Sequence, residues 1–276
     1  MPKRKPPHKL GSRRRAGSKS PGARQGRGRQ SSNIRGRQSS NIMWLYGLHA
    51  VAAAINNPAR RKFRLLTTGE GKFQLDEDGQ EITETLARRV LEELLPPGAV
   101  HQGVALEVLA LEAVDLGAIT NGAADDAMIV LLDQASDPRN IGAVMRSAAA
   151  FGAVALLLPD RHAPEVTGVL AKAASGALER LPLVRITNVA SALRDLKDAG
   201  FWCIGLDVDA DTSLAAAAIP GRVALVIGSE GRGLRRLTAE KCDALAAIPM
   251  RAEAGSLNLA AAAAIALYAL RREITP

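Results

Sequence analysis

From Met128 onward, the chain alternates between short runs of branched apolar residues and alanine-rich segments with polar residues at helical spacing. The apolar runs lack the alternation of apolar and polar residues that is typical of a strand with one solvent-exposed face, so they predict strands that are buried on both faces. Strands that alternate with helices in this way form a largely parallel sheet covered by helices on both sides. The predicted strands are 128–133, 153–158, 181–186, 201–206, 223–227 and 245–248, and the predicted helices lie near 141–151, 165–176, 189–199, 234–241 and 257–272.

Residues 43–115 predict a smaller α/β unit that precedes this sheet. Between the two, Asn-Gly and Asp-Asp steps favour an irregular linker over residues 116–126, which leaves 127–276 as the second domain. Within the first unit we expect a helix over 46–55, a strand over 63–67, a helix around 81–95 and a strand over 104–109.

The charge of the chain is divided unevenly. Residues 1–42 contain 13 Lys and Arg and no acidic residue, whereas the rest has 23 basic and 28 acidic residues, a net charge of −5. Residues 1–42 have too few apolar residues to build a core and predict a disordered basic arm. Such an arm on an acidic body favours binding of nucleic acid phosphates. A solvated tail without a partner, or an organellar transit peptide, are the alternatives.

Several classes of protein are disfavoured by the sequence. No apolar run is long enough to cross a membrane, and no secretory signal pattern is present. Cys203 and Cys242 are isolated and have neither disulfide-framework nor metal-ligand spacing, which predicts a reducing cytoplasmic location. With only four His and two Cys in the chain, we expect no metal site.

Three polar segments follow predicted strands of the second domain: Asp137–Arg146, Val226–Leu234 and Ile248–Asn258. The carboxyl ends of parallel strands meet at one edge of a sheet, where α/β proteins place their ligand sites. Packing does not require the amide and guanidinium groups of the first segment, nor a buried Glu230 among glycines in the second. We therefore expect the three segments to form one site.

Each feature also has a simpler structural explanation. The glycines around Gly228 do not fit a dinucleotide-binding fingerprint and could form a flexible turn. Ser256 is well placed to cap the last helix, and Arg146 could be a surface arginine in an ion pair. His49 and His101 are more consistent with structural roles, and the arginines at 232, 235 and 236 suit an RNA contact and a solvated helix face equally.

In this order, the three segments resemble the SpoU/TrmH family of RNA ribose 2′-O-methyltransferases in the SPOUT class. Tyr46–Val51 and His101–Ala105 are also similar to the L30e-like RNA-binding domain of its rRNA guanosine methyltransferase branch. The resemblance implies an α/β fold, namely a SPOUT trefoil-knot methyltransferase domain preceded by an L30e-like substrate-binding domain and the basic arm. It also implies that the substrate is RNA, namely a guanosine in 23S rRNA, and that the enzyme is a homodimer.

The resemblance further implies S-adenosyl-L-methionine as the cofactor. Its binding residues correspond to Gly228, Ile248 and Leu257, with Leu206 and Met250 as neighbours. The catalytic set corresponds to Asn140, Arg146, Glu230, Ser256 and Asn258. Two residues depart from the family pattern, Ala252 in place of Gly and Ala260 in place of Ser, and neither belongs to this set.

In the expected reaction, a ribose 2′-hydroxyl attacks the methyl group of the cofactor. We expect Arg146 to contact the 2′-oxygen and the adjacent phosphate, where a cation stabilises developing negative charge. Asn140 and Asn258 would orient the ribose and the loops, and Glu230 would fix Arg146 or the substrate. A tRNA methyltransferase and a non-catalytic RNA-binding protein of ribosome assembly are the alternatives.

Overall fold

A computed structural model describes residues 41–69, 82–161, 163–217, 221–251 and 255–271. The predicted arm over 1–42 therefore lies outside the described residues except for its last two positions. Ala252, one of the two departures from the family pattern, also lies outside them.

The first part of the described chain forms a four-stranded mixed sheet of order β1-β4-β2-β3. Strands β1 and β3 were not predicted, and the helix expected around 81–95 is wrong in its first half, where Thr83 and Thr85 belong to a strand. β-branched threonines favour the extended backbone over the helix. The elements are β1 (Ile42–Tyr46), α1 (Leu48–Ile55), β2 (Lys62–Thr67), β3 (Thr83–Thr85), α2 (Arg88–Leu94) and β4 (Val104–Leu109).

The linker predicted over 116–126 is not wholly irregular. Its first half is the short helix α3 (Leu116–Asn121), whose first turn is capped by Asp115. The Asp115 carboxylate accepts a hydrogen bond from the backbone N–H of Gly117, which satisfies one of the free amides at the helix start.

The second part forms the expected parallel sheet, with six strands in the order β10-β8-β9-β5-β6-β7. Its elements lie within a few residues of their predicted positions. They are β5 (Met128–Leu132), α4 (Pro138–Ala150), β6 (Ala153–Pro159), α5 (Gly168–Ala174), β7 (Leu183–Ile186), α6 (Val189–Asp198), β8 (Trp202–Leu206), β9 (Val223–Ile227), α7 (Arg236–Ala239), β10 (Ala244–Ala246) and α8 (Leu259–Leu270).

Helices cover both faces of this sheet, and all residues of the central strands β5 and β9 are buried. One face packs against α4, α5 and α8, and the other against α6. Helices α4 and α5 cross at Gly142, where an added Cβ would lie 2.5 Å from the carbonyl oxygen of Leu170. The two helix backbones are therefore in contact, and this close crossing fixes the position of the first turn of α4.

A buried ion pair connects the small sheet to the large one. Arg60, which follows α1, donates from Nη2 to Glu179 Oε1 at 2.6 Å and from Nε to Glu179 Oε2 at 3.0 Å. Its Nη1 donates to the carbonyl oxygen of Leu109, at the end of β4. The two charged side chains are only 1% and 3% exposed. Removing one partner of such a pair leaves the other charge buried without a counter-charge. The pair therefore strongly constrains how the small sheet lies against the large one.

None of the helices in the described ranges is long and apolar enough to span a membrane. Within the same ranges, no cluster of three or more His, Cys, Asp and Glu side chains has the geometry to hold a metal ion.

Candidate active site

The three polar segments meet at the carboxyl edge of the large sheet, as the sequence predicts. Strand β5 pairs with β9 on one side and with β6 on the other, so the direction of strand order reverses at β5. The crevice outside such a reversal is the usual ligand site of an open α/β sheet. The segments follow β5, β9 and β10.

One carboxylate oxygen joins all three segments. Glu230 Oε1 accepts hydrogen bonds from Asn140 Nδ2 at 2.8 Å, from Asn258 Nδ2 at 2.8 Å and from the backbone N–H of Leu259 at 3.0 Å. Asn258 Nδ2 also donates to Asn140 Oδ1 at 3.2 Å. Glu230 is exposed rather than buried, contrary to our expectation, because the glycines around it place it on the surface of the loop. We call the side chains of Asn140, Glu230 and Asn258 the amide–carboxylate network.

Asn258, not Ser256, caps the last helix. Asn258 Oδ1 accepts from the backbone N–H groups of Ala260 at 2.9 Å and Ala261 at 3.3 Å. The prediction that Ser256 is the cap is wrong because α8 begins at Leu259, two residues too late for Ser256 to reach its first amides. Ser256 is exposed and lies in the wall of the adjacent cleft.

A cleft of about 540 Å³ lies beside the network, within the size range of cofactor sites. Glu230 and Ser256 also line it, whereas Asn140, Arg146 and Asn258 do not. The structure places all five predicted cofactor-binding residues in its wall: Leu206, Gly228, Ile248, Met250 and Leu257.

Gly228 allows two backbone segments to touch at the floor of the cleft. An added Cβ would lie 2.0 Å from the carbonyl carbon and 2.2 Å from the carbonyl oxygen of Gly233. Ser229 and Gly233 exchange two backbone hydrogen bonds of 3.0 Å, which close the loop between them. Gly231 and Gly233 have φ values of 77° and 64°, which favour glycine. No larger residue fits at 228 without opening this loop.

The lining of the cleft suits a ligand with both apolar and polar parts. Its lining includes aliphatic side chains and the carboxylate residues Asp207 and Asp209, which follow β8. The hydroxyl oxygen of Ser229 is buried and has no hydrogen-bond partner among the described residues, although it lies at the cleft. A buried hydroxyl of this kind costs free energy unless a ligand or water satisfies it. Sequence reasoning missed these three residues, although both aspartates follow a predicted strand directly.

A second buried contact connects the loop after β5 to the loop after β9, and the sequence analysis also missed it. Asp133 is fully buried, and its Oδ2 accepts from Thr238 Oγ1 at 2.7 Å and from Arg235 Nε at 3.1 Å. Arg235 Nη2 lies 2.6 Å from Asp133 Oδ1. The sequence signal that could have identified this contact is Asp133 itself, an acidic residue at the end of the otherwise apolar run 128–133.

Arg146 stands apart from the network. It lies on α4, six residues after Asn140, and is exposed. It forms no hydrogen bond or ion pair with any residue that the structure describes, Glu230 included. His101, by contrast, is buried in the turn before β4, in agreement with a structural role.

The fold and the cleft define a class of α/β enzymes whose ligand site is formed by three loops at one edge of a parallel sheet. Residues 127–268 match the SpoU rRNA Methylase family, and the chain belongs to that family. It is 39% identical over 241 residues to the 23S rRNA (guanosine-2′-O-)-methyltransferase RlmB of Xylella fastidiosa, which covers 84% of this chain and 97% of the relative. The corresponding RlmB of Coxiella burnetii is 35% identical over 240 residues, which cover 84% and 96%.

Solved structures agree with this assignment. The SpoU methyltransferase AviRb from Streptomyces viridochromogenes, in complex with the cofactor AdoMet, superposes with a TM-score of 0.70 at 27% identity and covers 88% of this chain and 93% of its own. An AdoMet-bound rRNA methyltransferase from Sinorhizobium meliloti superposes with a TM-score of 0.73 at 21% identity, over 88% and 92% of the two chains, and shows that the fold is shared.

Proposed function

We propose that this protein is an S-adenosyl-L-methionine-dependent methyltransferase that modifies a ribose 2′-hydroxyl, specifically that of a guanosine in 23S rRNA. One observation carries the proposal: the amide–carboxylate network borders a cleft lined by all five residues that the family resemblance assigns to the cofactor. The substrate follows from the RlmB relatives, which match this chain over nearly their whole length.

The cleft residues fit the proposed cofactor. Gly228 keeps the 229–233 loop closed against the end of β9, and Leu206, Ile248, Met250 and Leu257 offer apolar contacts. The unpaired Ser229 hydroxyl and the Asp207 carboxylate offer polar ones. When bound, S-adenosylmethionine supplies an electrophilic methyl group on a positively charged sulfur.

The hydrogen bonds of the network support different roles for its two amides. Both N–H groups of the Asn258 amide are used within the protein, and its oxygen caps α8, so Asn258 is a positioning residue. Asn140 uses only one of its two N–H donors and keeps the other for the ribose. Glu230 Oε2 has no partner among the described residues and remains an acceptor at the cleft.

Arg146 supplies positive charge to the substrate. Its guanidinium is a cation, so its role is to stabilise negative charge on the 2′-oxygen and to contact the adjacent phosphate. Its exposure on α4, outside the cleft, supports an assembly in which each site is completed across the interface of a homodimer. Ser256, in the cleft wall, completes the catalytic set.

The family resemblance carries three further parts of the proposal. The C-terminal segment would form a trefoil knot around the cleft, and residues 43–115 would be an L30e-like RNA-binding domain, with 116–126 as the linker and 127–276 as the methyltransferase domain. The basic arm over the first 42 residues would bind RNA phosphates. An rRNA substrate would be consistent with the proposed cytoplasmic location.

The proposal is tested by incubating the purified protein with unmodified 23S rRNA and S-adenosylmethionine and mapping 2′-O-methyl groups along the RNA. We expect one modified guanosine with the natural protein. Arg146→Ala should bind the cofactor with unchanged affinity in calorimetry but transfer methyl groups at least about 100-fold more slowly, as when a charge-stabilising donor is removed. Arg194→Ala, at an exposed arginine of α6, is the control.

Two results would contradict the proposal. Cofactor binding without methylation of any RNA would instead support a non-catalytic RNA-binding protein. Methylation of tRNA but not of 23S rRNA would show that the substrate assignment is wrong, while the reaction type would stand.

A further inference from the structure

A second cleft, distinct from the one that holds the predicted cofactor residues, opens at the same edge of the sheet. It has a volume of about 560 Å³ and lies beyond the carboxyl ends of β5, β6 and β7. Its wall contains Arg161 after β6, Arg235 and Arg236 at the start of α7, and polar side chains of Gln134 and Asn188. None of its lining residues is acidic. We call it the arginine cleft.

The positive charge of this cleft is unusual on a chain whose body is acidic. Residues 43–276 carry a net charge of −5, yet three guanidinium groups line one concave surface. Arg235 is balanced by the buried Asp133, and Arg236 pairs with Glu240 one helical turn away. Arg161 is exposed and has no ion-pair or hydrogen-bond partner among the described residues.

The arginines are also held in place. Arg235 donates from Nε to Asp133 Oδ2, its Nη2 lies 2.6 Å from Asp133 Oδ1, and 47% of the Arg235 side chain stays exposed. The guanidinium is therefore oriented toward the cleft before any ligand binds, which lowers the entropy lost on binding. The neighbouring residue Gln134 has a φ of 66°, a backbone conformation that is rare outside glycine and is found mostly where the surroundings impose it.

The arginine cleft and the catalytic site are formed by neighbouring residues of the same loops. The loop that begins at Gln134 continues to Asn140 of the amide–carboxylate network, and Arg235 follows Leu234, which lines the cofactor cleft. When the target ribose of an RNA lies at the amide–carboxylate network, the neighbouring phosphates of that RNA therefore lie along the same edge of the sheet. Arginine binds phosphate through two parallel N–H donors, and phosphate contacts set the register of a nucleic acid on a protein.

We propose that the arginine cleft binds backbone phosphates of the RNA substrate next to the nucleotide that is methylated. This inference rests on the proposed function, since it assumes that RNA is the substrate. Arg161 is the principal contact because its charge is not balanced by the protein. Arg235 and Arg236 add to the positive field, and Arg235 is a poor target for mutation because its loss would leave the buried Asp133 carboxylate without a counter-charge.

The test uses Arg161→Ala in the full chain, with Arg194→Ala as the matched control. Both arginines are exposed, but Arg194 lies on α6 outside the cleft and next to Asp195. Binding to a 23S rRNA transcript is measured between about 50 and 200 mM salt, the range over which phosphate contacts weaken steeply. Cofactor affinity, the melting temperature and methyl transfer are measured in parallel.

We expect Arg161→Ala to weaken RNA binding by up to about fivefold at the low-salt end, the size of one exposed ionic contact. The slope of log affinity against log salt should fall by about one, which is the loss of one phosphate contact. Its kcat at saturating RNA, its cofactor affinity and its melting temperature should stay as in the natural protein. Arg161→Ala combined with Arg236→Ala should lower the slope further.

An unchanged affinity and salt slope in Arg161→Ala would overturn the proposal, and so would an equal loss in Arg194→Ala, which would indicate a general charge effect. If Arg161→Ala altered the binding of inorganic phosphate but not that of RNA, the cleft would be a small-anion site and the proposal would fail. A natural protein that methylates 23S rRNA while Arg161→Ala behaves identically would leave the proposed function standing. A natural protein that neither binds nor methylates RNA would overturn both.

Discussion

Replacement of Gly228 by alanine is the most direct test of the cleft geometry. The added Cβ would lie 2.0 Å from the Gly233 carbonyl carbon and 2.3 Å from the backbone nitrogen of Leu234. Both are backbone atoms, so a side-chain rotation cannot relieve the overlap. The loop 229–233 has to move away from β9, and its two Ser229–Gly233 hydrogen bonds are strained or lost.

The magnitude follows from these contacts. Overpacking costs about 1–3 kcal/mol, and each lost backbone hydrogen bond about 1 kcal/mol. We therefore expect Gly228→Ala to lose about 3 kcal/mol, which for a domain of this size lowers the melting temperature by roughly 6–12 °C. If the loop moves as a unit instead, the stability loss is smaller and cofactor affinity falls by at least about tenfold.

Thermal unfolding and calorimetric titration with S-adenosylmethionine measure both outcomes. Gly122→Ala is the control, since its Cβ would meet only the Ala118 carbonyl oxygen, at an ordinary 3.9 Å. A Gly228→Ala protein with the melting temperature and cofactor affinity of the natural protein would refute the close packing of this loop and its role in the site.

Three further predictions concern other contacts. Glu230→Ala removes the common acceptor of three hydrogen bonds and should slow methyl transfer about 10- to 100-fold in a single-turnover assay. Glu230→Gln keeps Oε1 and should retain more activity. Equal rates of the two variants would contradict this role. Arg60→Ala leaves Glu179 buried and should cost about 3–5 kcal/mol in urea unfolding, whereas the exposed Arg61→Ala should cost little. Burial raises the pKa of both Cys203 and Cys242 from 9.0 to about 12, so folding favours the protonated thiols. The stability that the two thiols contribute is therefore complete below about pH 9 and is lost as the pH rises toward 12. Both thiols should resist a thiol reagent at pH 8.5 until the protein unfolds, and rapid labelling of the folded protein would contradict the shift.

The large sheet could be predicted closely because its strands are buried on both faces. A strand such as β5 has no polar residue from Met128 to Leu132, so its length and position follow from hydrophobicity alone. The small sheet was harder to predict. Strand β3 spans three residues, Thr83–Thr85, and its pairing with β2 is a tertiary interaction that no local pattern encodes.

In the candidate site, the sequence indicated which loops meet but not how their side chains pair. Glu230 accepts from Asn140, which is 90 residues away, and only the strand order brings the two together. The helix cap was assigned to Ser256 instead of Asn258 because both residue types cap helices well and the start of α8 differed by two residues. The pairing of Asp133 with Arg235 depends on the same long-range geometry.

The buried ion pair of Arg60 and Glu179 restricts movement of the small sheet relative to the large one. With both charges sealed at the junction and a third contact to the end of β4, rotation of the small sheet against the large one would expose or separate an ion pair in the interior. The two sheets are thus expected to move as one body. If residues 43–115 bind RNA, as proposed, this fixed geometry would hold the bound RNA at a constant separation from the methyl-transfer loops, and the modified nucleotide would be selected by its distance from the bound position in the folded RNA.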